Sequence, residues 1–120
     1  MAAYDSTTAY IDRDKYLDFA GVNLDIELKS SQSDNPTQQV EIFISNVQEW
    51  LYNYMCTRFD NTYYEDTTSD IWDDDTFAKA LLWQVKHILK YGEDEQLDKT
   101  TYRILRSHGM ANPKNIGGWH

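Results

Sequence analysis

The chain has 120 residues, of which 41% are apolar and 14% aromatic, including nine Tyr and four Trp. A polypeptide of this length buries roughly two-thirds of its unfolded surface around one core, so the composition excludes a disordered chain and leaves no room for a second domain. The net charge of −9 opposes sequence-independent binding to a phosphate backbone.

Residues 1–15, MAAYDSTTAYIDRDK, lack apolar periodicity and read as an extended N-terminal arm. Residues 16–29 are compatible with two structures. Val22, Leu24, Ile26 and Leu28 alternate with polar residues at a strand's period of two. A short helix through Tyr16–Ala20, stopped by Gly21, fits the first half equally well. The polar run SSQSDN then forms a loop.

Asn35 directly before Pro36 is a helix start, with Gln38 as a weak capping-box partner. Val40, Phe43, Ile44, Val47, Trp50, Leu51, Tyr54 and Met55 then fall on one stripe about 140° wide. The spacing predicts a helix from about Pro36 to Cys56. Residues 57–72 read as a polar loop carrying Tyr63, Tyr64 and Trp72.

A second long helix is expected to begin at Asp73-Asp74-Asp75, where carboxylates meet the positive end of the helix dipole, and to stop at Gly92. Phe77, Ala80, Leu81, Leu82, Val85, Ile88 and Leu89 cover more than half its circumference, which predicts the central helix of the fold. A shorter helix is expected over Leu97–His108, with Tyr102 and Leu105 inward and Gly109 ending it. Asn112-Pro113 and Gly117-Gly118 leave residues 109–120 as an extended tail. The fold class that follows is mainly α: a small helical bundle over residues 16–108, with two long helices, a shorter C-terminal one, and an arm and tail.

Catalysis finds no support. Cys56 lies near a helix C-terminus, where the dipole disfavours a thiolate, and a lone cysteine forms neither a disulfide framework nor a cysteine-based zinc site. His87, His108 and His120 show no metal-binding spacing, and the Asp73–Asp75 run lacks a calcium-loop pattern and reads as a helix cap. No enzyme activity, metal or cofactor is expected. No apolar run of roughly 18 residues predicts a membrane span. The first residues also lack the basic-then-apolar pattern of a secretory signal. An intracellular origin is the expectation.

Two features point instead to partners. Residues 1–75 carry 16 Asp/Glu against four Lys/Arg, a balance of −12, whereas residues 76–120 carry four against seven, a balance of +3. On the central helix, Trp83 projects about 160° from the middle of the apolar arc and shares that outer face with Lys79, Lys86 and Lys90. Buried Trp and Tyr carry much of the energy of interfaces. Lys79, Trp83, Lys86 and Lys90, with the loop aromatics Tyr63, Tyr64 and Trp72, are therefore candidates for contacts between subunits. Tyr4, Tyr10 and Trp119 likewise stand in segments with no evident core of their own.

The runs LDFAGVNLDIELKSSQSDNPTQQVEIFISNVQEWLYNYM and DDDTFAKALLWQVKHILKYG resemble the head–tail connector (adaptor, or head-completion) proteins of tailed bacteriophages. The likeness covers about residues 16–92. It rests on the short element before Asp34-Asn35-Pro36, the helix containing Val47-Gln48-Glu49-Trp50, and the second helix ending in Tyr91-Gly92. The resemblance implies a structural virion protein, made in the host cytoplasm. About a dozen copies would form a homo-oligomeric ring beneath the portal protein, contact a downstream connector or tail protein, and extend the DNA channel without sequence-specific binding. By the same analogy Tyr102, Arg103, Arg106, Met110, Ile116 and Trp119 would meet the portal. The alternative is an acidic DNA-mimic inhibitor of a nuclease or defence complex. That role needs carboxylates along one continuous face, whereas Asp5, Asp12, Asp34, Glu65 and Asp66 lie in arm and loops and the last third is basic.

Overall fold

The computed structural model describes residues 4–22, 24, 36–59, 72–92 and 96–112. Among these the fold is mainly α, with four helices and no strand: α1 (Arg13–Ala20), α2 (Pro36–Arg58), α3 (Asp74–Tyr91) and α4 (Lys99–Ser107). The central position expected for α3 is found, since α1, α2 and α4 all pack on it.

Side-chain caps place the helix starts. Asp12 accepts a hydrogen bond from the Lys15 backbone N–H at 2.8 Å, which starts α1 three residues earlier than the apolar pattern suggests. Gly21, at φ 72°, ends it, and its N–H donates to Leu17 O at 2.8 Å. Only glycine adopts that left-handed conformation without a steric penalty. Of the two readings of residues 16–29, the helical one therefore holds through Ala20. Residue 23 and residues 25–29 lie outside the described residues.

Asp73 caps α3 by accepting from the Thr76 N–H at 2.9 Å and the Thr76 hydroxyl at 2.6 Å. These bonds hold its carboxyl below the usual carboxylate range. Gly92 closes the other end, with its N–H on Ile88 O at 2.8 Å. Asp98 caps α4 through the Thr100 and Thr101 N–H groups, so that helix begins two residues after Leu97. Helix α2 continues two residues past Cys56, to Arg58. The expected Asn35 and Gln38 cap lies outside the side chains that the structure describes.

The core sits between α2 and α3. Val40, Ile44, Val47, Leu51 and Met55 from one helix meet Phe77, Ala80, Leu81 and Val85 from the other, all buried. Leu105, Met110 and Ala111 close the end near α4. Packing of α4 on α3 is fixed by the Thr101 hydroxyl, which donates to Ala80 O at 3.1 Å. That bond turns Thr101 and Leu105 inward and leaves Tyr102 37% exposed, which corrects the expectation that Tyr102 faces the core.

The N-terminal arm also departs from its expected form. Residues 13–15 belong to α1, and Tyr10 and Ile11 are buried. Tyr4 stacks on Tyr52 with ring centroids 3.8 Å apart, and Tyr10 meets Phe77 edge-on at 5.0 Å. The segment is held by polar bonds as well. Tyr4 Oη donates to Glu49 Oε1 at 2.5 Å, and Gln48 grips the backbone at Thr8 and Tyr10. A non-periodic stretch can be fixed by such tertiary contacts without leaving a helical or strand pattern in the sequence.

Candidate partner-binding surfaces

The outer face of α3 carries the cationic stripe that the helical spacing predicts. Lys79, Lys86 and Lys90 are exposed and Trp83 is half-buried. The structure brings Trp83 and Lys86 together with a residue of α1. Phe19 meets the Trp83 ring edge-on at 5.0 Å, and Lys86 Nζ lies 5.0 Å from the Trp83 centroid and 5.8 Å from that of Phe19. A cation over aromatic faces is attracted by their negative quadrupole. Part of Trp83 is thus covered by its own chain, and the remainder faces outward beside an ammonium. Lys90 makes a similar contact with Tyr91 at 5.1 Å.

Around α4 the expected portal residues separate into two groups. Tyr102 and Arg103 are exposed on the helix, with Tyr102 tilted against Phe59 at 5.9 Å. Arg106 is exposed and donates to Ala111 O at 3.4 Å. Met110, by contrast, is fully buried. The turn after α4, in which the Met110 N–H donates to Leu105 O at 2.8 Å and Gly109 adopts φ 80°, folds the chain back onto the core. Met110 is therefore a packing residue of the protomer and not available to a portal.

A second correction concerns Trp72, expected in a loop at a subunit contact. It is 3% exposed, tilted against Phe77 at 5.0 Å, with its indole N–H on Asp74 Oδ1 at 2.6 Å. Together with Tyr4, Tyr10 and Tyr52 it forms an aromatic cluster inside the molecule. Several aromatics that the sequence left without shelter are thus sheltered by the chain itself. Tyr63, Tyr64, Ile116 and Trp119 lie outside the described residues.

The structure adds surface residues that sequence reasoning missed. Leu17 and Val22, at the end of α1, are exposed apolar side chains. Arg58 lies over the Tyr54 ring at 5.3 Å, on the same side of the molecule as Tyr102. The helical register of α1 could have found Leu17, since it falls about 100° from the buried Tyr16.

Several titratable groups are tied into the fold. His87 Nδ1 lies 3.4 Å from Asp98 Oδ1 at the α3–α4 junction. Burial, and the hydrogen bond that it donates to Glu49, push the Tyr4 phenol above its ordinary range. Cys56 is half-buried and not in a disulfide. Among the described residues no three His, Cys, Asp or Glu side chains could together hold a metal ion. No described helix is long and apolar enough to cross a membrane. In comparisons with known proteins, no family model, no curated protein and no solved structure matches the chain.

Proposed function

We propose that the protein is a structural adaptor of a tailed-bacteriophage virion, a ring of identical copies that joins the portal to the tail or to the next connector and extends the DNA channel. The reading begins from the resemblance over residues 16–92. The observation that carries it is the Lys79–Lys86–Lys90 stripe around the partly exposed Trp83, in a chain whose first 75 residues hold a balance of −12.

Opposite charges on different flanks favour a head-to-tail contact, and such contacts close into a ring when the rotation allows. Exposed ion pairs contribute only about 0.2–1 kcal/mol each, so the lysines set register and encounter rate. Apolar contact at Trp83, Phe19 and neighbouring side chains supplies the affinity. An acidic channel wall lets DNA slide past without adhering. In this role the protein needs no cofactor and performs no catalysis.

Pull-down against the purified portal and against a panel of nucleases tests the proposal. Retention on the portal is the expected result. Retention on a nuclease with none on the portal would replace the adaptor with the DNA-mimic alternative.

A further inference from the structure

Beside α4 lies an open groove of about 420 Å³ lined by Tyr54, Phe59, Leu97, Lys99, Tyr102 and Arg103. Four of the lining side chains are aromatic or aliphatic, and the other two, Lys99 and Arg103, are cationic. Arg58 adds a third positive charge next to the lining, over Tyr54. None of the lining residues is a carboxylate, and among the described residues no carboxylate pairs with Arg58, Lys99 or Arg103. In a chain of net charge −9, three cations thus gather around one apolar depression.

We infer that this groove is the seat for an acidic segment of the docking partner that inserts one aromatic or branched aliphatic side chain between Tyr54, Phe59, Leu97 and Tyr102. The inference rests on the adaptor reading, in which Tyr102 and Arg103 face the portal, and specifies the chemistry of the portal segment that they meet. The occupant follows from charge complementarity. A basic segment would be repelled by the three cations, whereas an acidic one is drawn to them. The volume matches one large side chain with its flanking backbone, within the usual range of about 300–1,000 Å³ for binding clefts. The guanidinium of Arg103 can hold a carboxylate by two parallel hydrogen bonds, which a lysine cannot.

Three fluorescein-labelled heptapeptides test the inference by fluorescence anisotropy on the full chain. The first is acidic with a central Trp-Leu pair, the second has Ala-Ala at the centre, and the third keeps Trp-Leu between lysines. The first probe is expected to bind saturably, more weakly as salt rises, and at least about tenfold more tightly than the other two. The paired variant Lys99→Glu with Arg103→Glu is expected to lose that binding, and Tyr102→Ala to weaken it. Lys15→Glu, on α1 and outside the groove lining, leaves it unchanged. Equal binding of all three probes overturns the inference, as does full binding by the paired variant. If the paired variant instead changes self-association in a concentration series by ultracentrifugation, the groove belongs to a second copy and the inference is wrong. Portal retention by the wild type is scored separately. Retention with unaffected groove variants removes the groove and keeps the adaptor. Specific peptide binding without portal retention removes the adaptor and keeps the groove's chemistry.

Discussion

Gln48 and Gln84 stand on different helices and make the same pair of hydrogen bonds. The Gln48 carbonyl accepts from the Tyr10 N–H at 3.1 Å while its amide donates to Thr8 O at 2.7 Å. The Gln84 carbonyl accepts from the Asp98 N–H at 3.0 Å while its amide donates to Gln96 O at 3.0 Å. Each side chain thus grips a non-helical backbone at residues i and i+2, as a neighbouring strand would. One clamp holds the segment that leads into α1, and the other holds the segment that leads into α4. Both glutamines are buried, so water cannot easily replace the bonds.

Replacing either clamp with Leu keeps the volume but leaves a backbone donor and acceptor without partners. Gln48→Leu and Gln84→Leu are each expected to lower stability by about 2–4 kcal/mol, read from urea-unfolding midpoints. Because the two sites hold different segments, their effects should add in the double variant. A loss below about 0.5 kcal/mol for either would show that its hydrogen bonds do not hold the segment.

The clamps also show what was legible beforehand. Helices α2 and α3 could be read because Pro36, Asp73 and Gly92 mark their ends and the apolar residues between them keep one helical stripe. Gln84 is a polar position inside its stripe and Gln48 borders its own, the trace that a tertiary hydrogen bond leaves in a sequence. Their partners left none, since Thr8, Tyr10 and Gln96 sit in aperiodic stretches. For the same reason Tyr4, Tyr10 and Trp72 looked unsheltered, although residues distant in sequence enclose them. On the surfaces, the α3 stripe was readable from helical register alone. The α4 groove was not, because it joins Tyr54 and Phe59 at one helix end to Leu97 and Tyr102 across the fold.

The Tyr4 phenol is raised by burial and by its bond to Glu49, and Tyr10 is raised mainly by burial. A folded-state value above the unfolded one, near 10, contributes stability that is present below about pH 10 and is lost as pH rises further. Alkaline unfolding is therefore expected to begin above about pH 10, with the tyrosinate absorbance of these two residues appearing together with loss of helix. In Tyr4→Phe that alkaline loss should be smaller. An unchanged alkaline limb would detach Tyr4 from it.

Asp73 behaves in the opposite direction. Its carboxyl is held low by the Thr76 hydroxyl and N–H, so its contribution is present above the unfolded value of about 4 and disappears as pH falls through the lower folded value. Asp73→Ala is expected to cost about 1 kcal/mol at neutral pH, and the difference from wild type should shrink in acid. A difference that stays constant down to about pH 2 would mean that the cap acts through something other than its charge.

For the α3 stripe, Trp83→Ala is expected to cost about 1 kcal/mol in folding, through its edge contact with Phe19. Its larger effect, about 2 kcal/mol, should fall on association between copies. Lys79→Glu with Lys86→Glu should leave the fold intact and weaken assembly at low salt most strongly. Normal assembly by the charge-reversed protein would exclude pairing of opposite flanks, and normal assembly by Trp83→Ala would remove that residue as an anchor.

The adaptor proposal is tested most directly by electron microscopy of the wild-type protein mixed with its purified portal. The account predicts additional ring-shaped density, closed around the channel axis at the tail-facing end of the portal. Portal particles that remain unchanged at saturating protein would contradict it.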